Sequence, residues 1–178
     1  MKKTMLNSTT FPSAGLLTLV LVILVGVSDA YGDLLFLRAT EDKAAYVKEP
    51  SMYNRVILPP GRAIETVYVE RKPALAIPLG EIETVLIEKE KVFRGERIVD
   101  FVYRATFSLN KQGFEKFRAF AQKYDQQLFD MRINNQRLNI IILVGPFADN
   151  QLAVGLMERN IDRLKEIFSP IKNKTTWQ

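Results

Sequence analysis

Residues 98–117 read IVDFVYRATFSLNKQGFEKF, and two periodicities meet inside them. Up to Leu109 the pattern has period two. Phe101, Tyr103, Ala105, Phe107 and Leu109 fall on one face of an extended chain, and Val102, Arg104, Thr106 and Ser108 on the other. From Asn110 the apolar positions step by three or four through Phe114, Phe117, Ala121, Tyr124 and Leu128, while Lys111, Glu115, Lys116, Arg118, Lys123 and Asp125 lie largely elsewhere around a helix. Asparagine suits the junction because its side-chain oxygen accepts from a free amide of the first helical turn. A strand over 98–109 is therefore expected to run straight into a helix over 111–128, both turning aromatic faces to one core. An aromatic stripe at helical spacing is read here as core, not as a ligand platform.

Downstream, Phe129, Met131 and Ile133 alternate with Asp130 and Arg132, Asn134-Asn135 is a turn pair tolerant of positive φ, and Leu138, Ile140 and Ile142 resume the alternation. This predicts a hairpin. Ile140–Val144 is apolar on both faces, the pattern of a strand covered twice, and belongs near the middle of a sheet. Gly145-Pro146 ends it. Asp149 or Asn150 then caps an expected final helix with Leu152, Leu156, Met157, Ile161, Leu164, Ile167 and Phe168 on its apolar face, stopped by Pro170. Residues 171–178, with Lys172, Lys174 and the lone Trp177, read as a polar tail.

Upstream, Ile64–Arg71 is β-branched and aromatic, as strands are. Pro73 and Pro78 interrupt pairing and leave an edge or an irregular crossing. Glu83–Lys89 is a second strand, followed by a connection over Lys91–Glu96 with its turn at Gly95. Residues 40–62 hold Pro50, Pro59, Pro60 and Gly61 and read as a loop or linker in which Val56-Ile57-Leu58 is too short to assign. Leu34–Ala39 is either a first strand or the end of the preceding segment.

That preceding segment opens with Lys2 and Lys3, continues through the apolar run Ala14–Val27, and reaches small residues at Ser28-Asp29-Ala30. This is the layout of an export signal, with the mature chain starting near Tyr31. The alternative is a short retained anchor over residues 11–27, although a full span needs about 20 apolar residues. The expected organisation is thus 1–30 signal peptide or anchor, 31–62 irregular linker, 63–170 α+β domain and 171–178 tail. Within the domain, an antiparallel or mixed sheet carries both helices on one face, a βαββα core.

Composition narrows the chemistry. The chain has no cysteine and no histidine, and 25 Lys and Arg stand against 20 Asp and Glu, a net charge of +5. Disulfides, lipid attachment through cysteine, a Cys nucleophile, a Ser-His-Asp triad and the usual zinc, copper and haem ligand sets are excluded by residue type. No Asp-x-Asp-x-Asp-Gly calcium loop and no glycine-rich phosphate cradle occurs. Glu81, Glu83, Glu88, Glu90 and Glu96 are the candidates for a carboxylate pair, but Glu88-Lys89-Glu90-Lys91 alternates in sign and reads as a solvated face. Basic residues are spread among acidic neighbours, which argues against nucleic acid as a partner. Asn7-Ser8-Thr9 and Asn173-Lys174-Thr175 match the glycosylation pattern, the first inside the removable leader and the second without meaning behind a bacterial-type signal. No enzyme, cofactor or metal is expected.

The run VLIEKEKVFRGERIVDFVYRATFSLNKQGFEKF over 85–117 resembles the first extracytoplasmic domain of SecD, the auxiliary membrane component of the bacterial protein-export machinery. Glu88-Lys89, Val92, Gly95-Glu96 and Ile98 are similar to that family's first strand and its connection. Phe107, Leu109, Asn110, Gly113, Phe114 and Phe117 are similar to its strand-to-helix turn. Met131–Leu138 stands where its hairpin would, and Val144–Ala153 resembles the approach to its last helix. The resemblance spans roughly residues 83–168 and lacks the family's proline segment and membrane spans, so it implies no ion-driven transport. It implies a periplasmic or otherwise extracytoplasmic, SecD-like head domain that contacts exported, unfolded polypeptides or an envelope protein. A membrane-tethered structural protein unrelated to translocation is the alternative, and a carboxylate enzyme the remaining one.

Overall fold

The computed structural model of the protein describes residues 32–59, 64–144 and 149–178. The expected leader over 1–30 and the Gly145-Pro146 strand stop lie outside the described residues. In chain order the elements are β1 (Asp33–Thr40), α1 (Lys43–Lys48), a 3-10 turn (Pro50–Met52), β2 (Tyr53–Ile57), β3 (Thr66–Glu70), β4 (Leu75–Pro78), a 3-10 turn (Leu79–Glu81), β5 (Ile82–Arg94), β6 (Arg97–Leu109), α2 (Lys111–Lys123), β7 (Leu128–Ile133), β8 (Gln136–Ile142), β9 (Gln151–Gly155), α3 (Ile161–Ile167), a 3-10 segment (Ser169–Lys174) and β10 (Thr175–Trp177). The class is α+β, as expected.

The layout differs from one sheet with two helices on a face. There are two sheets, one ordered β2-β3-β1-β7-β8 with β4 also on β1, the other ordered β10-β5-β6-β9. All pairs are antiparallel except the parallel β10 and β5. Both sheets contribute to one core. Leu34, Phe36, Phe129, Met131 and Ile133 come from the first, and Val85, Ile87, Ala105, Phe107 and Val154 from the second. α2 packs against β4 of one sheet and β6 of the other, and the ring of Phe36 lies 5.7 Å from those of both Phe117 and Phe120.

The strand-to-helix junction forms as its residues dictate. The face at 105, 107 and 109 is fully buried, and the Asn110 side-chain oxygen accepts from the Gly113 amide at 2.9 Å. α2 stops at Lys123 instead of reaching 128, because Gln126 takes a positive φ of 59° and its amide donates to the Leu143 carbonyl at 2.7 Å, starting the β7–β8 hairpin. That hairpin turns at Asn134, whose φ is 53°.

Five further expectations are corrected. Residues 31–62 are not a linker, because β1 is the middle strand of the first sheet. Leu34 and Phe36 face the shared core, while Leu35, Leu37 and Ala39 face a second apolar cluster built on Val67, Val69 and Leu58. The doubly covered strand is thus LLFL at 34–37, and the similar run at 140–144 lies on and just past the end of β8, an edge strand of its sheet. Residues 150–168 are not one helix. Leu152, Val154 and Leu156 are buried in alternation and β9 pairs with β6 from Arg104 to Ser108, so a leucine spacing that fits both periods resolves as strand. The helix begins only after Asn160, whose side chain accepts from Asp162 and Arg163 amides. The connection expected over 91–96 shrinks to its Gly95 turn, with β5 running on to Arg94.

The last correction concerns the end of the chain. Residues 171–178 are not a free tail: Ile171 is buried in the core, Trp177 stands edge-on to Phe168 with centroids 6.2 Å apart, and β10 lies in register with Val85–Ile87. Ile171 stands in a 3-10 segment and β10 is only three residues long, so no period in the sequence marks either as part of the core.

Candidate functional site

The acidic residues do not converge. Glu81 is buried and paired with Lys116 at 2.5 Å. Glu88 and Glu90 lie on the outer face of β5, where Glu90 pairs with Arg104 at 3.1 Å, and Glu96 sits in the exposed turn after Arg94. Among the described residues no group of three acidic side chains is placed to hold a metal ion. A pocket of about 310 Å³ between β8 and α3 is lined by Arg137, Arg163, Gln136 and a single acid, Glu158.

One carboxylate is fully enclosed. Asp130 on β7 accepts from Arg132 Nε at 2.9 Å and Nη2 at 2.6 Å, and from Arg137 Nε at 2.9 Å and Nη2 at 2.8 Å. The β7–β8 register brings the three together by setting Arg137 opposite Arg132, two residues from Asp130, and the pairing of Leu37 with Asp130 and Leu35 with Arg132 puts them on the side of the sheet turned to the second cluster. A carboxylate with both oxygens held by two forked guanidinium groups is geometrically saturated. Its role is to hold β7 to β8.

Two surfaces among the described residues join exposed large apolar side chains to strand backbone that no described strand covers. The first is the outer edge of β8. Leu143 directs its backbone toward the β7 side, exchanging bonds with Gln126 and Gln127, so by alternation Ile142 and Ile140 direct theirs outward. The carbonyl of Leu138 is taken by the Met157 amide at 2.9 Å, and the Ile140 amide by the Asn139 side chain at 2.8 Å. Beyond these, no described strand pairs on this side. Ile142 is 56 % and Val144 62 % exposed. A long apolar edge without charge is uncommon, because such edges recruit further strands.

The second is the distal half of the β5–β6 hairpin. β10 runs in register with β5 to Ile87, with Gln178 bonding on to the Lys89 amide, and β9 with β6 to Arg104, with the Leu156 amide bonding on to the Tyr103 carbonyl, while the two strands stay paired to Arg94 and Arg97. The side that is core at Ile87 and Ala105 continues past the body of the fold through Lys89, Lys91 and Phe93, opposite Tyr103, Phe101 and Ile98. An irregularity between Val92 and Phe93 accommodates Val99 as an extra residue. Phe93 is 58 % and Val99 55 % exposed. The opposite side is charged and tied down, with Asp100 bonded to Arg159.

The both-face apolar run at 140–144 was visible in the sequence. The hairpin was not, because Lys91–Glu96 has the look of a connection and its apolar residues sit among charges. No protein-family model matches this chain, and neither a curated protein nor a solved structure matches it.

Proposed function

We propose that this protein is a non-catalytic, extracytoplasmic binding module, similar in role to the SecD head, that holds an extended polypeptide by strand addition along the outer edge of β8. The polypeptide is an exported, unfolded chain or an extended segment of an envelope protein. The observation that carries this reading is the edge itself: beyond the Ile140 amide, which the Asn139 side chain holds, the run to Val144 presents outward backbone groups flanked by the exposed side chains of Ile142 and Val144. Main-chain hydrogen bonds supply affinity without sequence preference, and alternate side-chain contacts add selectivity for apolar segments. That combination suits a receptor of unfolded chains.

The absence of histidine and cysteine, the dispersal of the glutamates and the saturation of Asp130 support binding over catalysis. The resemblance over 83–168 and the leader-like sequence at 1–30 support a place outside the cytoplasm. Titration of the full chain with a permanently unfolded model polypeptide tests the reading. Saturable binding with slowed amide exchange at residues 140–144 is expected. An absence of binding at high micromolar concentration, or protection elsewhere only, overturns it.

A further inference from the structure

We infer that the distal half of the β5–β6 hairpin is a membrane-contact element that lays its apolar side on an anionic lipid surface. Past the Lys89 amide, which donates to the Gln178 carbonyl, the strand advances about 3.3 Å per residue to Arg94, so the tip stands roughly 16 Å beyond the last flanking backbone. Four large apolar side chains, Phe93, Ile98, Val99 and Phe101, are exposed on this projection, and their burial elsewhere in the fold is ruled out by that distance.

Charge on the hairpin is sorted by side. Lys89 and Lys91 share the apolar side, with the Lys89 ammonium 4.3 Å from the centroid of the Phe101 ring, and Arg94 and Arg97 flank the turn. The acids Glu90 and Asp100 face the other way and are neutralised by Arg104 and Arg159. The one acid at the tip, Glu96, stands in the turn between Arg94 and Arg97, so four cations against one acid on and around the apolar strip leave it net positive, complementary to a bilayer whose headgroups are negative. The rings enter the acyl boundary, and the long lysine and arginine stems let their charges remain among the phosphates. The shape also favours lipid over a polypeptide: a projecting ribbon suits a soft continuous surface, and its β5 edge carries Lys89 and Lys91, which discourage an added strand there.

The chain has no cysteine, so a single introduced thiol reports on one place, and this separates the hairpin from any lipid affinity of residues 1–30. The full chain carrying Val99→Cys, labelled with an environment-sensitive dye, is mixed with vesicles of phosphatidylcholine alone or with phosphatidylglycerol. Ser51→Cys, on an exposed residue outside the hairpin, serves as the reference. The dye at 99 is expected to shift blue and to be quenched by nitroxide-bearing lipid in the anionic vesicles, and the dye at 51 to do neither. Lys89→Glu with Lys91→Glu, both exposed and expected to leave the thermal midpoint unchanged, should raise the lipid concentration for half response at least tenfold. A dye at 99 that stays unquenched on vesicle-bound protein, a response unchanged by charge reversal, or a response to unfolded polypeptide alone overturns the inference. None of these outcomes bears on the β8 edge.

Discussion

The Lys174 ammonium donates to the carbonyl of Ile82 at 2.5 Å, and it also reaches the carbonyls of Leu79 at 3.0 Å and Gly80 at 3.4 Å. Three main-chain oxygens around one cation fasten the end of the chain at the start of β5, from which β10 runs alongside Val85–Ile87. Lys174→Met keeps the apolar stem and removes the donors. It is expected to lower stability by about 1–2 kcal/mol, the range for hydrogen bonds to a charged group, reduced for partial exposure. Trp177 is the sole tryptophan and packs on Phe168, so loosening of β10 should appear as a red shift of its emission in folded protein.

The second prediction concerns Asp130, which has no exposed surface while Arg132 and Arg137 keep 18 % and 28 % of theirs. Asp130→Asn leaves two guanidinium groups without their anion on the buried side of the sheet. A loss of about 3 kcal/mol is expected, the low end for breaking a buried pair because both arginines retain some water. Replacing all three by apolar residues of similar volume should cost far less, since no orphan charge remains. Urea unfolding of the single and triple variants checks the ordering.

How far these features were legible depends on whether neighbours in sequence are neighbours in space. β6, its Asn110 cap, α2 and the β7–β8 hairpin follow one another and each carries its own period, so local pattern sufficed. β1, β9 and β10 each pair with strands far away, and no local pattern declares such a partner. Leu152 and Leu156 satisfy a helix and a strand equally, and only the open edge of β6 decides between them. The same reasoning explains the site. The apolar character of 140–144 was plain, but its position at a sheet edge emerges only once β1 has taken the central place.

A third prediction rests on Asn134, where turn chemistry and a long-range bond coincide. Its side-chain oxygen accepts from the Asp33 amide at 2.9 Å, and its own amide donates to the Asp33 carbonyl at 2.8 Å, with φ at 53°. Asn134→Gly retains the left-handed backbone and loses the side-chain bond, a cost of about 1 kcal/mol. Asn134→Ala loses the bond and strains the backbone, adding about 1 kcal/mol more. The Ala variant should therefore have the lower midpoint in thermal unfolding, the reverse of what helix or strand propensity alone would give.

The final prediction separates backbone recognition from mere stickiness at β8. Two substitutions at Ile142 remove nearly the same exposed apolar side chain but differ in the main chain. Ile142→Thr keeps the outward amide, whereas Ile142→Pro deletes it, a change tolerated on edge strands because no ladder bond to β7 is lost. If an unfolded chain is captured by strand addition, the Thr variant binds a few-fold more weakly than the parent and the Pro variant loses at least tenfold, both remaining folded by circular dichroism. Equal loss in the two variants would mean that side-chain contact, not main-chain pairing, provides the affinity. In that case the edge groups of Ile140–Val144 would have no part in recognition, and the strand-addition reading of this surface would fail.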